Sequence, residues 1–136
     1  MEFDAARDYV RTNHNGVLST FRRDGSPQLS PNTATVGTDG RLWISSRETA
    51  FKVKNLRRDP RTAWCGIGDK FFSRWVQIDG TAEIVALPDA MEMLVWYYRN
   101  VSGEHPDWPD YRAAMIRDQR VIIAITITGA GPDRHG

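Results

Sequence analysis

Hydrophobic and polar residues alternate along much of this chain, and the alternation predicts a protein built mainly of β-strands. In residues 120–128 branched apolar side chains recur at every second position from 121 to 127, which predicts a strand with a buried face. Those positions are Val121, Ile123, Ile125 and Ile127. Similar runs bounded by turn residues predict six strands in all: residues 16–21, 27–36, 41–45, 61–67, 74–85 and 120–128.

Glycine, proline and aspartate mark the connections between these strands. Asp24 and Gly25 predict a hairpin turn between the first two strands, in which the glycine supplies a positive φ. Pro31 cannot donate a backbone hydrogen bond, so it predicts an edge strand or a bulge. Asp79 and Gly80 predict a bulge within the fifth strand. Helical spacing of hydrophobic residues predicts four helices, which begin near residues 2, 45, 87 and 110.

Six strands interrupted by helices predict a single mainly β domain of residues 1–136. The expected architecture is a mostly antiparallel barrel, closed so that its strand edges are hidden. Residues 129–136 follow the last predicted strand and are rich in glycine and polar side chains, so we expect a loose tail there. A fold of this kind hosts many activities and does not by itself name a function.

The segment from Ser45 to Asp59 is the candidate functional element. Ser45 and Glu48 have the spacing of a capping box, which predicts a helix that begins directly at the end of a strand. The free N–H groups and the positive end of the helix dipole favour an anion at such a junction, and Arg47 and Lys52 add positive charge. A solvated helix whose cations only maintain solubility is an alternative explanation of the same pattern.

Composition narrows the class of protein. The chain has 136 residues and a formal net charge of +1, which argues against a dedicated nucleic-acid binder. Cys65 is the only cysteine, and the three histidines are scattered in sequence, so no metal site is predicted. No apolar run is long enough to span a membrane. We therefore expect a cytoplasmic protein without a membrane partner.

None of the common nucleotide-binding, hydrolase or metalloprotease motifs is present, so no side chain is predicted to be catalytic. An enzyme of this kind would depend on a bound cofactor, for which the protein supplies an anion clamp, apolar walls and a few polar groups. The candidate cofactor-binding residues are Ser45, Ser46, Arg47 and Lys52 as the clamp, Gln28, Ser30 and Asn32 as polar groups, and Trp75 and Gln77 as a wall and a donor. Trp75 is also compatible with a core or dimer interface, and Gln28 and Ser30 with the solvated face of a strand.

Several motifs resemble, in order along the chain, the pyridoxamine 5′-phosphate oxidase-like split β-barrel superfamily. These motifs are residues 16–20, 23–31, 52–60 and 80–83. Residues 98–100, 103–108 and 111–112 are similar to mycobacterial members of its F420 (deazaflavin)-dependent oxidoreductase branch. Each motif is short, but together they extend over nearly the whole chain.

The resemblance implies an FMN-binding-like split β-barrel that forms a homodimer, with two cofactor sites at the subunit interface. Lys52 matches the lysine on the phosphate side of the cofactor, and Trp75 matches an aromatic strand from the partner subunit. Gln28, Ser30 and Asn32 match the polar residues near the ring. Members of the superfamily commonly carry an arginine where this chain has Ala50, and Arg47 is the candidate replacement. The tail lacks the aromatic ending expected from the resemblance.

By this resemblance, the leading hypothesis is an F420-dependent reductase that transfers a hydride from the reduced deazaflavin to a small planar conjugated acceptor. Lys54 and Arg58 extend the basic surface beyond the clamp, which suits the oligoglutamate tail of coenzyme F420. One alternative is an FMN-dependent oxidase or reductase of the pyridoxamine-phosphate-oxidase type. Another is a non-catalytic F420-binding or carrier protein.

Overall fold

The computed structural model describes residues 1–136 as one curled antiparallel sheet with four helices. The helices are α1 (Phe3–Thr12), α2 (Phe51–Arg58), α3 (Met91–Ser102) and α4 (Trp108–Arg117). The strands are β1 (Asn15–Phe21), β2 (Pro27–Thr33), β3 (Thr35–Val36), β4 (Leu42–Arg47), β5 (Arg61–Gly66), β6 (Arg74–Val85) and β7 (Arg120–His135). Their order is β2-β1-β5-β6-β7-β4-β3, and the sheet forms a half-barrel. The mainly β prediction is confirmed. The prediction of six strands is wrong because the sheet has seven, and the expected closed barrel is instead a half-barrel with β2 and β3 at its edges.

Ala34 accounts for the additional strand. The predicted strand of residues 27–36 is divided there, so that β2 pairs with β1 whereas β3 pairs with β4 at the opposite end of the sheet. The N–H of Ala34 donates to the carbonyl oxygen of His14 at 2.8 Å, which fixes the change of direction. Because one continuous segment joins the two ends of the sheet, it draws β2 toward β4 and curls the sheet. Pro31 lies on the terminal strand β2, which confirms that it marks an edge.

The alternating side chains of β7 separate two hydrophobic layers. The predicted apolar set, from Val121 to Ile127 at every second position, faces the interior of the half-barrel, where α1 and α2 also pack. Ile122 and Ala124 face the opposite way and pack with α3 and α4. Because both faces of the strand are covered here, five consecutive residues from 121 to 125 are buried.

The last residues of the chain are part of a strand, so the prediction of a loose tail is wrong. β7 continues to His135 and remains paired with the beginning of β6, where Arg74 lies opposite His135. The guanidinium of Arg74 donates to both carboxylate oxygens of Asp133, at 2.8 and 2.9 Å. The register of this pair shifts between Asp79 and Gly80, which confirms the predicted bulge. The tail residues contribute backbone pairing rather than buried side chains, so their sequence shows no alternation.

The basic helix begins later than predicted. β4 extends through both serines to Arg47, and α2 begins at Phe51 without a side-chain hydrogen bond at its N-cap residue, Ala50. Glu48 instead forms an ion pair with Arg57 at 2.7 Å. The capping-box prediction at Ser45 and Glu48 is therefore wrong, because pairing with β7 keeps this segment extended.

All four helices are short, and each buries apolar residues against the sheet. The longest, α3, has 12 residues. None of the four is long and apolar enough to cross a membrane.

Candidate functional site

The end of β4, the beginning of β7 and the first turn of α2 place several cations close together without acidic partners. Lys52 lies in the first turn of α2 and is half-buried. Burial, together with the nearby charge of Arg120, holds the pKa of Lys52 below its ordinary value of 10.5. A buried ammonium group without a carboxylate is electrostatically unfavourable, so this position favours an anion supplied from outside the chain.

Arg120 is the second cation of this group. It is half-buried at the start of β7, and its Nε is buried without a hydrogen-bond partner. Arg47 lies directly opposite it on β4 and is exposed. Several other arginines pair with carboxylates: Arg57 pairs with Glu48 and Arg61 with Asp59, both at 2.7 Å. Lys52 and Arg120 differ from the exposed unpaired cations because both are half-buried.

Tyr97 of α3 lies next to this cation pair and is hydrogen-bonded to the end of β2. Its hydroxyl donates to the carbonyl oxygen of Thr33 at 3.2 Å and is hydrogen-bonded to the Thr33 hydroxyl. Burial raises the pKa of Tyr97, so the phenol stays protonated near neutral pH and connects α3 to the end of β2.

The four residues predicted as an anion clamp are only partly brought together. Ser45 and Ser46 point to opposite faces of β4, as successive strand residues must. Ser46 is buried, and its hydroxyl lies 3.4 Å from the carbonyl oxygen of Arg47. Ser45, Arg47 and Arg120 share one face of the β4–β7 pair. Arg47 and Ser45 thus lie on that face together. Lys52 is close enough to Arg120 for the charge of Arg120 to lower the pKa of Lys52.

The three polar residues predicted on the neighbouring strand form a row on one face of β2. Gln28, Ser30 and Asn32 are half-buried there, whereas Leu29 between them is exposed. Asn55 of α2 donates its amide to Gln28 Oε1 at 2.9 Å, which ties the row to the helix that carries Lys52. The Ser30 hydroxyl oxygen is buried without a partner. The row therefore has unused hydrogen-bonding capacity at its centre.

Trp75 and Gln77 lie elsewhere in the chain. They occupy the beginning of β6, and Val85 at its other end pairs with Ile122 near Arg120. Ten residues of strand separate Trp75 from Val85, which corresponds to about 33 Å. Trp75 borders an apolar cavity of about 330 Å³ that also includes Phe71 and Phe72. Gln77 donates to Asp79 Oδ1 at 3.0 Å.

Sequence reasoning missed Arg120, Tyr97 and Asn55. Arg120 stands at the start of an otherwise apolar strand, and the sequence offers no signal that this end lies beside Lys52. Tyr97 belongs to an apolar helical stripe, in which a phenol looks like a core residue. Asn55 is buried in α2, and a polar residue on the buried side of a short helix is a signal that was available.

These features fit an anionic ligand that also has a polar ring. The half-buried ammonium of Lys52 and the unpartnered Nε of Arg120 suit a phosphate, and the unpartnered hydroxyl of Ser30 suits a polar ring edge. No group of three or more His, Cys, Asp or Glu side chains is arranged to hold a metal ion.

Known proteins resemble this chain over nearly its whole length. A sequence model of the family described as pyridoxamine 5′-phosphate oxidase matches residues 3–131. The fold is similar to that of a conserved hypothetical protein from Mycobacterium tuberculosis, with 29% sequence identity, a TM-score of 0.77 and coverage of 96% of this chain and 82% of that one.

Two further solved structures share the fold at lower identity. One is named an F420 reductase, with 23% identity, a TM-score of 0.71 and coverage of 92% of this chain and 94% of the other. A putative pyridoxamine 5′-phosphate oxidase from Listeria innocua has 20% identity, a TM-score of 0.67 and coverage of 95% of both chains.

Proposed function

Because this chain belongs to the pyridoxamine 5′-phosphate oxidase family, we propose that it is an F420-dependent oxidoreductase. The proposed reaction transfers a hydride from the reduced deazaflavin to a small planar conjugated acceptor. The observation that carries the proposal is the half-buried cation pair of Lys52 and Arg120, which has no carboxylate partner. Such a pair supplies the charge-assisted hydrogen bonds that a cofactor phosphate requires.

The basic surface next to this pair supports F420 over a cofactor with a single phosphate. A groove of about 410 Å³ is lined by residues of α2 and of the β1–β2 turn: Arg22, Arg23, Asp24, Phe51, Lys54, Asn55 and Arg58. Arg22, Arg23 and Lys54 form no ion pair within the chain and are exposed. Such a surface suits the polycarboxylate tail of F420. The structural neighbour named F420 reductase supports the same choice.

The chain's own residues would bind and orient the cofactor. When bound, the reduced deazaflavin supplies the hydride. Lys52 and Arg120 hold the phosphate side, and the β2 row holds the polar edge of the ring. Because hydride transfer needs no protein nucleophile, the lack of a catalytic triad is compatible with this chemistry, and solvent can protonate the product.

We place Trp75 and Gln77 in the cofactor site of a second copy of the chain. Within one protomer they lie at the end of β6 opposite to Val85, which pairs with Ile122 near Arg120, so a shared site at a homodimer interface is the arrangement in which they serve the Lys52 site. The neighbouring loop supports such an interface, since Phe71 and Phe72 are 78% and 73% exposed. Large apolar patches of this kind commonly mark interaction surfaces.

FMN-dependent chemistry of the pyridoxamine-phosphate-oxidase type is the second candidate function. The description of the matching family favours it, and Lys52 and Arg120 suit the phosphate of FMN as well as that of F420. A non-catalytic F420 carrier would use the same cation pair. Direct measurement of F420 and FMN binding therefore distinguishes these candidates.

A titration of the purified protein with F420 and with FMN, followed by fluorescence and absorbance, separates these candidates. We expect F420 to bind and its reduced form to be oxidised when planar conjugated acceptors are added. Tight FMN binding without F420 binding would exclude the proposed cofactor. Stable retention of reduced F420 with every acceptor would favour the carrier.

A further inference from the structure

We propose that β2 presents a row of oriented amide donors, so that its site selects a planar ligand whose facing edge carries hydrogen-bond acceptors. The positioning residues are Arg58 and Trp64, which act on the ring only through the two amides whose direction they fix. The identification of that ligand as a deazaflavin or flavin ring rests on the proposed function, whereas the orientation of the amides does not.

The first amide is oriented by a chain of hydrogen bonds that begins at Arg58. A guanidinium can only donate, and Arg58 Nη2 donates to Asn55 Oδ1 at 3.1 Å. The amide nitrogen of Asn55 must then point the other way, where it donates to Thr20 Oγ1 at 3.1 Å and to Gln28 Oε1 at 2.9 Å. Because Gln28 accepts through its oxygen, its NH₂ group points away from Asn55.

The second amide is oriented independently by an indole. The ring nitrogen of a tryptophan is also a donor only, and Trp64 Nε1 donates to Asn32 Oδ1 at 3.0 Å. Trp64 is 1% exposed and belongs to the core, so this donor cannot turn away. The NH₂ group of Asn32 is therefore directed along β2, where one of its N–H groups reaches the carbonyl oxygen of Ser30 at 3.3 Å.

Both amides thus offer nitrogen, not oxygen, to a ligand. Gln28 Nε2 makes no hydrogen bond within the chain and is not among the buried unpartnered atoms, so it remains accessible. Gln28 and Asn32 lie four residues apart on one face, about 13 Å, with the Ser30 hydroxyl between them. This row matches a flat ring with carbonyl oxygens or unprotonated ring nitrogens along one edge. An edge of amino groups would leave the donors unpaired, which is costly.

Replacing Asn55 with aspartate tests the orientation of the Gln28 amide. In Asn55→Asp, the carboxylate still accepts from Arg58, but it can no longer donate to Gln28. Gln28 must then turn its nitrogen toward residue 55 and its oxygen toward the ligand. The matched control is Asn100→Asp, which adds the same charge at an exposed residue of α3. Gln28→Glu is a second variant, which removes the Gln28 NH₂ donor directly. Gln28 is half-buried on the edge strand β2.

The orientation is measured first by nuclear magnetic resonance of the side-chain amides in the ligand-free protein. We expect the Gln28 NH₂ protons to exchange rapidly with solvent in the wild type, because neither is bonded. In Asn55→Asp one of them should become protected, and in Asn100→Asp the exchange should stay rapid. Protection in the wild type, or no change in Asn55→Asp, overturns the proposal.

Selectivity is measured with riboflavin and 5-deazariboflavin, which carry the ring but no phosphate, so the added charge has little effect on them. We expect Asn55→Asp and Gln28→Glu to weaken binding of these ligands about tenfold or more, and Asn100→Asp to leave it unchanged. Equal affinity for wild type and both site variants overturns the selectivity. If neither these ring probes nor F420 nor FMN binds the wild type, the proposed function fails, and the exchange measurement still decides the orientation.

Discussion

At the scale of a single residue, the ionisation of Lys52 links protein stability to pH. Burial and the neighbouring Arg120 lower its pKa, so the folded protein holds that proton less tightly than the unfolded chain does. Between the lowered pKa and 10.5 the unfolded chain binds more protons, and Lys52 therefore makes stability rise with pH in that window. A bound phosphate acts in the opposite direction, because it favours the charged ammonium.

This linkage predicts that cofactor affinity decreases with rising pH in the alkaline range. Affinity for F420 should be constant near neutral pH and should fall as the pH approaches 10.5, because the free protein loses the Lys52 proton first. Fluorescence titrations over this range measure the effect. Lys52→Arg, which stays charged throughout, should remove the decline, and an equal decline in that variant would assign it to another group.

Tyr97 supports a second prediction at this scale. Tyr97→Phe removes the hydroxyl that is hydrogen-bonded to Thr33 and leaves the half-buried polar groups of Thr33 without that partner, so we expect a loss of about 1 to 3 kcal/mol of stability. Urea unfolding measures the change. Tyr98→Phe is the matched control, since the Tyr98 hydroxyl makes no hydrogen bond within the chain. Equal stability of the two variants would contradict a connecting role for Tyr97.

At the scale of secondary-structure elements, local sequence signals predicted which segments are strands, but they predicted poorly where the strands begin and end. The period of two in β7 identified the face that lines the interior of the half-barrel, and the glycine turn identified the β1–β2 hairpin. The capping box failed at Ser45 because long-range pairing with β7 outweighs a local helix signal. The break at Ala34 and the paired tail were missed for the same reason, since both depend on partners distant in sequence.

Aromatic residues of α3, α4 and the loop between them pack against one another. Tyr98, His105, Trp108 and Tyr111 have all six ring-centroid separations between 5.0 and 5.8 Å. Four nearly equidistant points form a tetrahedron, which encloses no space for a ligand. The cluster therefore holds the two helices together.

At the junction between α2 and β5, Asp59 is expected to stabilise the protein in a pH-dependent way. Hydrogen bonds from Arg61 hold the pKa of Asp59 at about 2, below its ordinary value of 3.8. A depressed pKa contributes stability above the ordinary value, and that contribution is lost as the pH falls toward 2. Asp59→Asn should therefore be less stable than the wild type at pH 7 and equally stable near pH 2. Urea unfolding at both pH values checks this, and a difference that persists in acid would contradict it.

At the scale of the whole molecule, the predicted site residues divide into two groups. The β2 row is hydrogen-bonded to α2, the helix that carries Lys52, whereas Trp75 and Gln77 lie at the opposite end of β6 from Val85, which pairs near Arg120. The sequence alone supplied most members of both groups through the family resemblance. It could not supply Arg120, whose role follows only from the register of β4 with β7.

A shared site predicts complementation between inactive variants. In a homodimer, each site would use Lys52 of one copy and Trp75 of the other. Mixing Lys52→Ala with Trp75→Ala and allowing the subunits to exchange should restore one intact site in each mixed dimer. Fluorescence titration should then detect tight F420 binding that neither variant shows alone. If exchanged subunits, verified by sedimentation, recover no binding, each site belongs to one chain.

The most direct test of the central claim is the affinity of Lys52→Ala for F420, measured beside the wild type by fluorescence titration near neutral pH. Losing one charge-assisted hydrogen bond should weaken binding by roughly 1 to 3 kcal/mol, which is about 5- to 150-fold. Arg57→Ala, which removes a cation of the same helix that is paired with Glu48, should bind almost as tightly as the wild type. Unchanged affinity in a folded Lys52→Ala protein would contradict the proposed phosphate site.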